Sequence, residues 1–357
     1  MEISNAVNAT SIETRSMCNN KLKLSNRFLL RVTFLPAVIV AGIFFNGLSY
    51  EILKRQSSQH RSIFLLRALA VADVSFLVVK FFREFLRPVL DAVVYGLAFQ
   101  RLAGLIRNTR FAGFFGIYLA MFFFNRSTKL TRNWITVLIA MERVISLGFP
   151  LFAQAHITKR RLYICICVQY VLFACFGISF MLDIGDSTYW FDVCTGIHVP
   201  FITRRKLSPI ETRVRFYVES ILTSVFTNLL PILCLVILNT ILIIVLKRIG
   251  KNREHLTRES KYRNIDQKAT KMAIAVIVLF IVLESATSLG TYIKILRTLF
   301  GLPKLSSSIR QVVSSITNVG SDILTPLDSS VNYFVYCLTN DRFRNEAKKI
   351  FKRKVEK

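Results

Sequence analysis

LYICICVQYVLFACFGISFML, the stretch from Leu162 to Leu182, runs for 21 positions without a charged side chain. A helix needs about 20 predominantly apolar residues to cross the hydrocarbon core of a bilayer, and this segment has them. Working outward, six more stretches reach that length: Val32–Leu53, Ile63–Phe82, Ala112–Gly148, Phe216–Leu246, Met272–Ile293 and Gln311–Leu338. Ala112–Gly148 has a polar middle, and Gln311–Leu338 is rich in Ser and Asn. The first stretch is long and has no cleavage site, so it reads as a retained span and not a signal peptide. The pattern predicts an all-α membrane protein: a seven-transmembrane helix bundle over residues 33–338, after a tail at 1–32 and before a cytoplasmic segment at 339–357. Six spans plus a re-entrant segment is the alternative count.

Composition agrees. Apolar side chains make up 53% of the 357 residues, and the mean hydropathy is +0.46. That is too apolar for a soluble core of this size, and it excludes a disordered chain, a disulfide-rich miniprotein and most soluble enzymes. Lys and Arg total 48 against 21 acids, a formal charge of +27. The basic residues track the span ends and do not form one stripe with interleaved aromatics, so nucleic acid is not the expected partner. With the amino terminus outside, the inner segments carry 23 basic and 6 acidic residues and the outer segments 19 and 8. This basic excess inside, with a glycosylation acceptor at Asn8-Ala9-Thr10, predicts an extracellular amino terminus. Cys165, Cys167, Cys175, Cys234 and Cys337 fall within spans and read as small hydrophobes. Cys18 and Cys194 fall in outer segments, where a disulfide or two free thiols are equally open readings.

No metal-ligating helix, phosphate-binding loop or nucleophile–base set is present, and His60, His156, His198 and His255 all lie outside the spans. The sequence thus predicts neither enzyme nor cofactor. A secondary transporter would show internal repeats and paired Gly/Pro-broken helices, which are not seen.

The charged residues inside the spans are more telling. Arg126, Lys129 and Arg132 recur every three residues, and each would cost at least ~2.5 kcal/mol at the centre of a lipid-facing helix. They are therefore expected to face the bundle and be answered by the acids outside the loops: Glu51, Asp73, Glu142, Glu219, Glu284, Asp322 and Asp328. Glu142 and Arg143 sit together at an inner span end, and Asn332 and Tyr336 lie four apart on one helical face. Within Asp341–Arg353, Phe343, Ala347, Ile350 and Phe351 share a face opposite Arg342, Lys348, Lys349 and Lys352, which predicts a short amphipathic helix lying on membrane lipids.

Several of these residues stand in a recognisable order: Phe45-Asn46-Gly47, then Leu69-Ala70-Val71-Ala72-Asp73, then Glu142-Arg143-Val144 with Pro150-Leu151. Pro231 and Asn239 follow, and then Asn332-Tyr333-Phe334-Val335-Tyr336 with Arg342-Phe343-Arg344. From about Phe34 to Phe351 the chain resembles the rhodopsin-like (class A) G-protein-coupled receptors. Within them it looks most like invertebrate receptors for FMRFamide-like and related neuropeptides, through Arg132-Asn133-Trp134 and Leu238-Asn239-Thr240. The resemblance implies an extracellular peptide ligand, a heterotrimeric G protein as partner and a plasma-membrane location. A chemosensory receptor of the same fold for small molecules is the alternative. It further implies that Glu142, Arg143, Asn239, Asn332 and Tyr336 serve activation and G-protein coupling. Asn46, Asp73, Arg132 and Asp328 would form an intramembrane polar network, with Arg132 where the family commonly holds a sodium ion. Asn125, Lys129, Glu284 and Asp322 would line the ligand cavity, Lys129 facing Glu284. Departures from the family are plain. Tyr118 replaces the usual outer cysteine, the fourth span lacks Trp, Glu284-Ser285-Ala286 replaces aromatic-x-Pro, and Tyr333 stands where Pro is usual.

Overall fold

Apolar runs bounded by basic residues become helices because only internally hydrogen-bonded backbone is tolerated in lipid. The computed structural model describes residues 33–56, 61–86, 110–181, 187–192, 197–202, 224–251, 260–300 and 306–355. Its helices are α1 (Leu35–Arg55), α2 (Arg61–Phe81), α3 (Arg110–Gly148), the short α4 (Pro150–His156), α5 (Lys159–Met181), α6 (Leu230–Lys251), α7 (Ser260–Phe300), α8 (Ser307–Ser330), α9 (Asn332–Thr339) and α10 (Asp341–Val355). The bundle's seven long helical stretches are α1, α2, α3, α5, α6, α7 and α8 continued by α9. Among the described residues, α1, Arg61–Glu84 and Val225–Arg248 are each long and apolar enough to cross a bilayer by themselves. Large apolar side chains on α5 and α6, among them Val171, Leu172, Ile237 and Ile244, point outward where lipid replaces water.

Neighbours in sequence are neighbours in space. α1 packs on α2, α2 on α3, α3 on α5 and α6, α7 on α8, and α8 returns to α1. At the end of the bundle where α10 lies, Leu65, Leu69, Ile135, Ile139, Val276 and Tyr336 form one apolar cluster that also takes in Phe343 and Ala347 from α10. This gives the amphipathic segment a docking face. The expected apolar positions Phe343 and Ala347 are 0% and 4% exposed. Asn340 caps it, its Oδ1 accepting from the backbone of Arg342 and Phe343 at 3.1 and 3.3 Å.

The structure departs from the hydropathy reading in five places. α7 extends well beyond Met272–Ile293 because Ser260–Lys271 is polar helix outside the apolar window. A π-turn, Phe82–Leu86, prolongs α2, and another, Val225–Leu229, precedes α6. The loop after the fourth span folds into an antiparallel hairpin, Ser187–Asp192 with Ile197–Ile202, whose β-branched and aromatic residues suit strands. The last span is two helices joined at Val331. Pro326 lies inside α8, and the Ser330 hydroxyl donates back to the Pro326 carbonyl at 2.7 Å. A proline followed by serine back-bonding bends and interrupts a helix even though Tyr333 stands at the usual proline position.

α1 and α8 meet at Gly42. A side chain there would collide with the Ser330 hydroxyl and come within 2.9 Å of Leu77 Cδ1. Small residues permit such close approach between membrane helices. Gly42→Ala should therefore destabilise the detergent-solubilised protein by about 1–3 kcal/mol, the usual cost of overpacking, read as a lowered midpoint of thermal unfolding. An unchanged midpoint would mean that α1 and α8 do not pack at this spacing.

Candidate functional site

At the middle of the bundle lies a charge that ordinary membrane helices avoid. Arg132, on α3, is 1% exposed. Its guanidinium reaches three carboxylates: Asp328 on α8 at contact distance through Nη2, Asp73 on α2 at 3.9 Å through Nε, and Glu284 on α7 at 3.9 Å through Nη2. Nη1 donates to the Ser329 hydroxyl. The rings of Phe76 and Phe280 sit at 5.3 and 5.5 Å from Cζ, so aromatic rings complete the cation's surroundings. One side chain thus ties four helices together.

The cluster extends in both directions. One turn away along α3, Lys129 Nζ meets Glu284 Oε1 at 2.5 Å. The Lys129 side chain is 20% exposed, while that of Glu284 is fully buried. On the other side, Asn332 Nδ2 donates to Asp73 Oδ2 at 2.7 Å, so the first residue of α9 hangs from α2. Asn46 donates to the Ser329 carbonyl at 2.6 Å and to the Gly42 carbonyl at 2.9 Å, pinning α1 to the same point of α8. The Arg132 guanidinium is set between Asp73 and Asp328, so a protein cation lies beside these acids.

A second polar group sits where α2 begins and α3 ends. Glu142 accepts from Ser62 at 2.9 Å and from Ser146 at 2.8 Å, and lies 3.8 Å from Arg143 Nε. Both residues are buried, at 3% exposure each. Arg61, at the start of α2, donates to the Ile157 carbonyl at 2.9 Å and also to that of Ala153, anchoring α4. Tyr336 is fully buried and packs edge-on to Phe343 with ring centroids 5.4 Å apart. Neither its hydroxyl nor either amide atom of the buried Asn239 has a hydrogen-bond partner.

Of the expected cavity residues, Lys129 and Glu284 are brought together. Asn125 lies one turn farther along α3, with its Oδ1 buried and unpartnered. Asp322 lies in α8, and its side chain is outside the described residues, as are Asn8, Cys18 and Cys194. Sequence reading missed the role of Asn133 and Trp134. Asn133 Nδ2 donates to the Thr227 carbonyl at 2.8 Å, and Trp134 Nε1 donates to the Phe226 carbonyl at 3.1 Å. They answer carbonyls of the π-turn before α6. The available signal was the Arg132-Asn133-Trp134 triplet, which marks a polar face but gives no partner.

Removing one member of a buried ion-pair network costs about 3–5 kcal/mol because the remaining charges are left unanswered. Arg132→Ala should produce a loss of that order in thermal stability. Adding Asp73→Asn removes one stranded carboxylate and should recover part of it. Additive losses in the double variant would show that the two groups are not coupled.

The comparisons with known proteins fit this architecture. The profile of the family described as serpentine type 7TM GPCR chemoreceptor Srw matches residues 33–354. A Caenorhabditis elegans protein named as a G-protein coupled receptor is 23% identical over 333 residues, 87% of this chain and 71% of its own. The FMRFamide receptor of Drosophila melanogaster is 24% identical over 217 residues, which cover 59% of this chain and 35% of that receptor. The match spans nearly all of the helical bundle, from two residues before α1 to the last turn of α10, and the chain belongs to the Srw family of seven-transmembrane G-protein-coupled receptors, as a divergent member.

Proposed function

We propose that this receptor sits in the plasma membrane with its amino terminus outside and couples an extracellular FMRFamide-like or related neuropeptide to a heterotrimeric G protein. The observation that carries the reading is the continuity of the buried charges. Lys129, partly exposed, pairs with Glu284; Glu284 shares Arg132 with Asp328 and Asp73; and Asp73 holds Asn332 at the head of α9. A ligand that contacts Asn125, Lys129 or Asp322 and draws Lys129 from Glu284 leaves that carboxylate to compete for Arg132. The competition loosens the hold on α8 and on Asn332, and with it the packing of Tyr336. Tyr336, Asn239 and the Glu142–Arg143 pair sit where the helices meet the cytoplasm in this orientation, the place for G-protein contact. Ligand acts by population shift: it binds better to the arrangement in which these inner contacts have opened.

Similarity to the Drosophila FMRFamide receptor supports a peptide ligand. The description of the matching family as chemoreceptors supports a second reading, a small environmental molecule in the same cavity.

A panel of amidated peptides and small volatile or acidic compounds, applied to cells expressing the receptor with a promiscuous G protein, separates the two. Response to amidated peptides at low concentration supports the first reading; response to small compounds alone supports the second. Whichever ligand acts, Arg143→Ala should leave surface expression and ligand affinity near the native level and abolish G-protein activation. A variant that signals fully would remove Arg143 from the coupling machinery.

A further inference from the structure

Most intramembrane cations of the bundle have an acid beside them. Arg132 has Asp73, Asp328 and Glu284; Lys129 has Glu284; Arg143 has Glu142; and Lys80 has Glu84 at 3.5 Å. Arg67 is different. It lies six residues beyond Arg61 on α2, so about 9 Å above the start of that helix. No carboxylate among the described residues lies within ion-pair distance of it. Its contacts are with Tyr50 of α1, whose hydroxyl accepts from Nη2 at 3.3 Å and whose ring centroid is 5.1 Å from Cζ. The Nε–H is buried without an acceptor, although the residue as a whole is only half-buried.

An arginine within a span whose charge no acid answers is costly unless it reaches a polar group at the membrane boundary. Its surroundings favour an anion. Lys54 lies one turn from Tyr50 on α1, with its side chain 58% exposed, and meets only Glu51, itself 52% exposed, at 4.0 Å. Such a surface pair holds its partners weakly. Arg55 follows at the end of α1, so the hairpin end carries Lys54, Arg55 and Arg67 against Glu51 alone. Arg61 is occupied by the α4 carbonyls.

We propose that the α1–α2 cleft binds the headgroup of an anionic phospholipid, its phosphate held by Arg67 and Lys54 beside Tyr50. The guanidinium is suited to this. Tyr50 fixes one edge, and the other N–H groups can pair with two phosphate oxygens in the fork geometry that guanidinium and phosphate share. Lys54 supplies a mobile second charge nearer the water. The depth fits: both cleft residues sit within two turns of the helix ends, at the boundary between hydrocarbon and headgroups. Placing this lipid in the inner leaflet rests on the proposed orientation; the binding chemistry does not.

The full-length receptor in nanodiscs tests the site without ligand or G protein, so the outcome is independent of the coupling proposal. Both leaflets of a nanodisc carry the same lipids, so orientation does not enter. Discs of phosphatidylcholine alone are compared with discs doped with phosphatidylserine or a phosphatidylinositol phosphate. The native chain should unfold at a higher temperature in anionic discs and retain anionic lipid in native mass spectra. Arg67→Gln should lose at least half of both effects. The basic face of α10 also meets lipid, so Lys348→Gln with Lys349→Gln is the control, and this variant should keep the Arg67-dependent portion. If Arg67→Gln does not fold, Tyr50→Leu with Lys54→Gln takes its place, with the same expected loss. An anionic-lipid shift and lipid retention undiminished in the cleft variants, or no shift over phosphatidylcholine in the native chain, would overturn the site.

Discussion

A guanidinium buried at mid-bundle cannot shed its proton and cannot be left bare, and that constraint organises this receptor. Lipid gives membrane helices no hydrophobic reason to associate beyond packing. Arg132 supplies a different reason: its charge is satisfied only where α2, α7 and α8 converge on α3. The aromatic rings of Phe76 and Phe280, the Ser329 hydroxyl and the amide of Asn332 take their places around the same group or its acids. The close Gly42 contact and the Asn46 hydrogen bonds then fix α1 against the interrupted α8.

The arrangement is poised in a physical sense. Glu284 lies between two cations, Lys129 at 2.5 Å and Arg132 at 3.9 Å, so a change at the first alters its demand on the second. Buried charges of this kind contribute little net stability relative to an apolar core, because desolvation offsets their attraction. Their value lies in permitting a few discrete pairings and forbidding intermediate ones. The gap at Val331 places the structural interruption next to Asn332, which shares Asp73 with Arg132, so any re-pairing bears on the joint between α8 and α9.

Much of this was legible in the residues. Hydropathy finds the spans because lipid imposes a length, and the threefold spacing of Arg126, Lys129 and Arg132 marks one face of α3 because charge must avoid lipid. What escaped was geometry carried by backbone detail. Nothing in Val225–Leu229 announces a π-turn; its carbonyls find donors in Asn133 and Trp134 from a helix roughly 90 residues earlier. The hairpin after α5 lies between apolar windows, where a reading by span length has nothing to measure. Hydropathy windows also stop where lipid stops, so Met272–Ile293 marks only the apolar part of α7. No spacing rule ties Phe76 and Phe280, two aromatics on different helices, to one cation.

That extension of α7 has a mechanical consequence. At 1.5 Å per residue, its 41 residues make a rod about 60 Å long, roughly twice the thickness of the hydrocarbon core. No proline interrupts it, so it lacks the proline hinge that lets one half of a helix bend while the other stays still. Ser260 lies some 36 Å along the shaft from Glu284. A tilt of about 5° about that point carries the far end through roughly 3 Å, the width of a hydrogen-bonding contact. A rigid tilt would thus turn a small displacement at an ion pair into a larger one at the polar end of the helix, with the helix's stiffness setting the gain.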